Sequence, residues 1–73
     1  MYFTDTTFNS WKQGDLNCVE ELLTEEIAHP LNSFHHSCAL ANRALVRTRL
    51  KQLNMAIDDA KKVILGHLLF HLC

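Results

Sequence analysis

Histidines and cysteines are the side chains of this sequence whose types and spacing could support chemistry. They occur together in two clusters, His35-His36-Cys38 and His67-His71-Cys73. Structural zinc needs about four nitrogen or sulfur ligands in a tetrahedral arrangement, and neither cluster alone provides four. We therefore expect no metal site and no cofactor, and we keep weak His/Cys metal binding only as a third hypothesis.

Cys38 also raises the question of nucleophilic catalysis, because it follows His35 by three residues and a helix could bring the two side chains near each other. Nothing in the sequence supplies an oxyanion hole, and a chain of 73 residues can hardly enclose a substrate pocket. The sequence therefore predicts that the protein is not an enzyme, with Cys38 in the core or facing a groove.

Composition narrows the class of protein further. The net charge of −1 does not provide the positive surface that binds nucleic acid, and it gives no electrostatic reason for membrane binding. The three cysteines form an odd number without a CxxC pair, and the N-terminus has no secretory signal pattern, which favours an intracellular, cytoplasmic protein. The apolar-rich segment 63–73 is far shorter than the roughly 20 residues of a membrane-spanning helix.

Helical periodicity in the sequence predicts the elements that carry the histidines and cysteines. Apolar residues recur at spacings of three and four from Leu16 to Ile27, with Asp15 as the predicted cap and Pro30 just beyond the end. Before this helix, the segment 4–12 predicts a shorter one, closed by Gly14. Two further helices are expected from Phe34 toward Leu50 and from a cap at Asn54, the last with an open end after Gly66.

The four helices contain an internal repeat with an offset of 37 residues, in which four apolar positions of the second helix recur in the fourth: Leu16, Val19, Leu23 and Ile27 as Leu53, Ala56, Ala60 and Ile64. The pattern predicts an all-α fold of two stacked antiparallel helix–turn–helix hairpins, at about 3–29 and 34–64. Residues 65–73 form an apolar tail that either ends the domain or continues the last helix.

The second hairpin resembles a tetratricopeptide repeat. The resemblance lies in the segments 41–47, 50–51, 56–60 and 63–64, with small residues at Ala44 and Ala56. It implies that these two alanines lie where the paired helices cross and that Leu53 fills the space beside the turn. Residues 11–16 resemble part of a preceding repeat, although Thr7 and Val19 stand where that family prefers smaller residues. The 37-residue offset exceeds the family's usual spacing of about 34.

The resemblance also implies a peptide-binding concave face lined by the first helix of each hairpin. On this sequence that face comprises seven candidate partner-binding residues: Phe8, Trp11, Lys12, Cys38, Asn42, Leu45 and Arg49. Asn42 matches one residue of the clamp with which some relatives hold a terminal carboxylate. Thr4 and Phe8 depart from that clamp and no third repeat follows, so we expect no working clamp.

Several surface features allow two interpretations. The line Arg43, Arg47 and Lys51 could attract an acidic peptide. We expect instead that it forms a solvated face, or that it pairs with Asp58 and Asp59. The acidic residues between 20 and 26 are expected to face solvent. Phe8 and Trp11 fit a core position better than a ligand platform.

These observations favour a protein-interaction module that binds a peptide or protein segment on the concave helical face. The alternative is a helical assembly element that self-associates into a homo-oligomer through the apolar tail 65–73. Neither the partner nor the oligomeric state follows from the residues.

Overall fold

The computed structural model describes the backbone of residues 3–72 and the side chains of residues 3–65. It contains four α-helices: α1 (Asp5–Lys12), α2 (Leu16–Ala28), α3 (Ser33–Arg49) and α4 (Leu53–Leu72). No strand occurs in residues 3–72. Each helix packs against the next one along the chain, so the predicted all-α architecture is confirmed.

The turns between α1 and α2 and between α3 and α4 have the same geometry. Gly14 and Lys51, which lie 37 positions apart, both adopt positive φ angles, of 77° and 64°. After α1 the amide of Asp15 donates to the carbonyl of Ser10, at 3.1 Å. After α3 the amide of Gln52 donates to that of Arg47, at 2.8 Å. Both turns are Schellman motifs, which satisfy the last carbonyls of a helix and reverse the chain.

Side-chain caps and a proline set the other helix boundaries. Asp15 Oδ1 accepts from the amide of Cys18, as predicted, and α2 ends at Ala28 before Pro30. The following helix begins at Ser33, one residue before the predicted Phe34, because Asn32 Oδ1 accepts from the amide of His35 at 2.8 Å. The prediction of Asn54 as a cap is wrong, since α4 already begins at Leu53.

The core lies between α2 and α3. Its buried apolar centre consists of Val19 and Leu23 from α2 with Ala39 and Val46 from α3, and Trp11 of α1 packs against its edge. Trp11 is thus half-buried, in line with a core position. The core is small for the chain, so the polar contacts between helices carry much of the specificity of packing.

The two small residues that were predicted at the helix crossing differ in burial. Ala56 is buried and Ala44 is half-buried. Leu53, predicted to fill the space beside the turn, is 56% exposed. Ala60 and Ile64, the repeat equivalents of Leu23 and Ile27, are also exposed. These α4 residues are exposed because no described element covers them, whereas α3 covers the equivalent positions on α2.

The last helix continues through the segment whose course was left open, and its backbone is helical to Leu72. The side chains of the predicted self-association tail lie outside the described residues, except Leu65, which is 59% exposed. Over the part of the chain that is described, none of the helices combines the length and hydrophobicity that crossing a bilayer requires.

Candidate interaction surfaces

A network of ion pairs joins α2, α3 and α4. Arg43 binds the Asp59 carboxylate with two hydrogen bonds, Nε to Oδ2 at 2.8 Å and Nη2 to Oδ1 at 2.7 Å. Arg47 donates to Asp59 Oδ2 and to Glu20 Oε2, both at 2.9 Å. A further bond of 3.3 Å runs from Arg43 to the Thr24 hydroxyl. These arginines are therefore structural, as the paired interpretation of the basic line predicts for Asp59.

Asp59 is almost fully buried, and its charge depends on these partners. Burial alone would raise the pKa of its carboxyl group. The hydrogen bonds and positive charges of Arg43 and Arg47 outweigh that effect and leave the pKa below its ordinary value. Asp59 is therefore ionised at neutral pH, and the network requires that ionisation.

A second polar network joins α1, α2 and the start of α3. The Thr7 hydroxyl donates to Glu26 Oε2 at 2.7 Å, and His35 Nε2 lies 2.6 Å from Glu26 Oε1. His35 Nδ1 accepts from the amide of Leu31 at 3.0 Å, so Nε2 carries the proton in the neutral ring and donates to Glu26. Glu26 and, in the ion-pair network, Glu20 are half-buried and make contacts between helices, so the prediction that all four glutamates face solvent is wrong for these two.

The hydrogen bonds of His35 bear on two hypotheses from the sequence, nucleophilic catalysis by Cys38 and metal binding. Both of its ring nitrogens are already hydrogen-bonded, so His35 has no free nitrogen to activate Cys38 or to ligate a metal. Among the side chains of residues 3–65, no group of three or more potential metal ligands comes together. The cluster around His67 and His71 lies outside the described side chains.

Two cations lie over aromatic rings on the side of the molecule formed by α1 and α3. Lys12 Nζ is 5.2 Å from the centroid of Phe8, and Arg49 Cζ is 4.7 Å from the centroid of Trp11. The Trp11 ring also stacks at a tilt on Phe3, at 5.3 Å. Phe8 is 45% exposed, so the prediction that it is a core residue is wrong.

The ring–cation contacts place four of the seven candidate binding residues on this side: Phe8, Trp11, Lys12 and Arg49. Half-buried Leu45 lies one helical turn before Arg49 on α3, and we include it in what we call the α1/α3 face. The repeat relates them in pairs, because Phe8 and Lys12 correspond to Leu45 and Arg49. Asn42 does not belong to the face, since it is only 4% exposed and has its own interactions inside the fold. Cys38 is half-buried and contributes little surface.

The opposite side carries a shallow, open groove between α2 and α4, with a volume of about 660 Å³. Its charged members at the centre, Glu20 and Arg47, bind each other. The exposed glutamates Glu21 and Glu25 line its rim on the α2 side, and Met55 lines it on the α4 side. This groove has no charge left at its centre for a ligand.

A third surface was missed by sequence reasoning. Four side chains on one flank of α4, which we call the α4 stripe, are all exposed: Leu53, Ile57, Ala60 and Ile64. Their spacing of four, three and four residues was the available signal. The predicted core-facing set on this helix was instead Leu53, Ala56, Ala60 and Ile64, of which only Ala56 is buried. Periodicity identifies an apolar face but does not show whether another element of the same chain covers it.

The chain was compared with known protein families, with curated proteins and with solved structures, and none of them matches it.

Proposed function

We propose that the protein is an interaction module that binds an acidic peptide segment on the α1/α3 face. The observation that carries the proposal is the pair of exposed cations, Lys12 and Arg49, over the rings of Phe8 and Trp11. Neither cation contacts a carboxylate among the described side chains, whereas Arg43 and Arg47 are fully engaged.

The repeat gives this face a regular chemistry. Each first helix presents an apolar side chain and, four residues later, a cation: Phe8 with Lys12 and Leu45 with Arg49. A segment that lies across α1 and α3 meets these pairs in register. Such a segment satisfies the face when it offers two carboxylates and an apolar side chain between them. Each exposed cation–π contact stabilises the face by about 0.5–1 kcal/mol, which helps to hold the cations in place before binding.

The single tryptophan makes the test direct, because all tryptophan fluorescence comes from Trp11, whose ring lies on this face under Arg49. The probe is a set of synthetic decapeptides that alternate Glu with Leu, and the controls replace Glu with Lys. We expect a saturable change in fluorescence with the acidic peptides only. Arg49→Gln and Lys12→Gln each weaken binding by about tenfold, equivalent to about 1.4 kcal/mol, and added salt weakens it further.

Lys62→Gln is the matched control variant, because it removes an exposed cation from α4 and leaves the α1/α3 face unchanged. Equal weakening by Lys62→Gln and by Arg49→Gln would show that only net charge matters and would contradict the proposal. The absence of any saturable response with the acidic peptides would contradict it as well.

Self-association through residues 65–73 is the second candidate function, favoured by the exposure of Leu65. Sedimentation velocity of the full chain over a wide concentration range tests it. A dimer that Leu65→Asp dissociates supports this candidate, and a monomer at every concentration contradicts it.

A further inference from the structure

The second helices of the two hairpins, α2 and α4, have equivalent flanks that lie in different environments. On α2 this flank is packed by α3, with Leu23 buried against Ala39 and Val46. Leu16 and Ile27 pack against the same cluster. The repeat equivalents on α4, Leu53, Ala60 and Ile64, form the α4 stripe together with Ile57. On this stripe Ile57 is 52% and Ile64 60% exposed. The interface between α2 and α3 therefore shows how a helix would lie on α4.

The charges beside the two flanks differ, and the difference is informative. On α2, Glu20 and Thr24 receive Arg47 and Arg43 of α3. The equivalent positions on α4 are Ile57 and Lys61. An acidic and a polar acceptor are thus replaced by an apolar side chain and a cation. Consider a helix that packs on α4 in the way that α3 packs on α2. Its residue at the position of Arg47 would face the apolar Ile57, and its residue at the position of Arg43 would face the positively charged Lys61.

We propose that the α4 stripe is the docking surface for an amphipathic helix of another protein, one that carries a carboxylate facing Lys61. The remaining contacts of that helix are small or apolar, in the positions that Ala39 and Val46 occupy on α3. This surface is separate from the α1/α3 face, and the inference does not depend on the proposed function.

A second copy of the chain fits the stripe poorly. In head-to-tail stacking, α1 of the second copy would occupy the place of α3, but the equivalents of Val46 and Leu50 there are Asn9 and Gln13, both polar and exposed. In a symmetric pairing, two α4 stripes would meet, each flanked by Lys61 and neither containing a carboxylate.

The test uses the full chain and two labelled peptides held helical by a lactam bridge, because a free 17-residue helix is only marginally stable. The control peptide copies Ser33–Arg49. The probe peptide has the same sequence with Arg43→Glu and Arg47→Leu. Binding is measured by fluorescence anisotropy. We expect the probe peptide to bind at least about tenfold tighter than the control peptide, a difference of about 1.4 kcal/mol.

A variant of the protein then reverses the selectivity. Ile57→Glu together with Lys61→Thr gives α4 the acceptors that α2 has, Glu20 and Thr24. Both substitutions lie at exposed positions and leave the fold intact, which circular dichroism checks. We expect this variant to bind the control peptide more tightly than the probe peptide.

Three results would overturn the proposal. One is equal affinity of the two peptides for the unmodified chain, or no saturable binding below about 1 mM, a free energy of about 4 kcal/mol. Another is a preference for the probe peptide that the double substitution leaves unchanged. The third is a dimer of the unmodified chain that Ile57→Glu dissociates, because a second copy would then occupy the stripe.

Discussion

The first hairpin, α1 with α2, and the second hairpin, α3 with α4, share a backbone and differ in the chemistry between their helices. Their turns are the same motif, centred on Gly14 and on Lys51. The first hairpin is joined by two hydroxyls, since Thr7 donates to Glu26 and Ser10 Oγ lies 3.3 Å from Cys18 Sγ. The second is joined by a buried carboxylate, Asp59, that two arginines hold. The same hairpin backbone is thus compatible with very different contacts between its two helices.

The comparison also shows where each hairpin depends on its neighbour. Glu26 of the first hairpin reaches His35 of the second, and Arg47 of the second reaches Glu20 of the first. Both polar networks cross from one hairpin to the other, at opposite ends of α2. The hairpins therefore form one cooperative unit, in which charged contacts compensate for a small apolar core.

The largest effect is expected from Asp59→Asn. The substitution removes the charge that pairs with Arg43 and Arg47, which leaves the buried Arg43 guanidinium without an anion and Arg47 with Glu20 alone. Breaking a buried pair in this way costs about 3–5 kcal/mol, which is most of the stability of so short a chain. Urea unfolding measures it. Asp58→Asn at the neighbouring exposed position is the control, with a change within about 0.5 kcal/mol; equal effects would contradict the network.

Acid should unfold the protein through the same residue. The pKa of Asp59 is lower in the folded chain than the value of about 3.9 expected in the unfolded chain. The stability that this ionisation contributes is therefore fully present above about pH 4 and is lost as the pH falls through the folded pKa. Circular dichroism from pH 6 to pH 2 should show this loss, and the dependence should be weaker in Asp59→Asn. An identical slope in both proteins would exclude Asp59 as the source.

A smaller effect is expected from Thr7→Val in the first hairpin. The change keeps the shape of the side chain and removes the donor to Glu26 Oε2, which leaves a half-buried carboxylate oxygen without that hydrogen bond. The expected cost is about 1–3 kcal/mol in thermal or urea unfolding. Thr6→Val, at an exposed position of the same helix, should change stability by about 0.5 kcal/mol or less. If the two variants unfold alike, the hydroxyl does not join α1 to α2.

The smallest effects concern the two turns, and they have opposite signs. A Cβ added at Gly14 meets no atom within 4 Å, so Gly14→Ala is destabilised only by its left-handed backbone, at about 1 kcal/mol. Lys51 already bears that strain, and Lys51→Gly should stabilise the chain by about 0.5–1 kcal/mol. Thermal melting of both variants measures the difference. Stabilisation by Gly14→Ala would show that the turns are not equivalent.

Local signals in the sequence predicted the helices and turns well, because the residues that end or begin a helix act within a few positions of themselves. Gly14, Asp15 and Pro30 all act where they were predicted to act. The orientation of each face was harder to predict. Asn42 was expected on the surface and is buried, whereas Leu53 was expected in the core and is exposed. Periodicity defines faces on a helix, but the neighbour that covers a face comes from elsewhere in the chain.

The sequence likewise did not show which charged residues of different helices would pair. The pairing of Arg43 with Asp59 was one of the interpretations left open, and the participation of Glu20 was not predicted because Glu20 and Arg47 are 27 residues apart. The candidate binding face stays a prediction, since proximity of side chains does not test binding. The seven positions came from the family resemblance, and Asn42 left the face because α3 turns that side chain into the fold.

A double-mutant cycle on Glu20 and Arg47 tests most directly whether charges dock the second hairpin onto the first. Glu20→Gln, Arg47→Gln and the double variant are compared by urea unfolding, with Glu21→Gln and Arg47→Gln as the control cycle on the same helix. The structure predicts a coupling energy of about 1 kcal/mol for Glu20 with Arg47, and one within about 0.3 kcal/mol of zero for exposed Glu21. Equal coupling in the two cycles would contradict the docking of α3 on α2 by this ion pair.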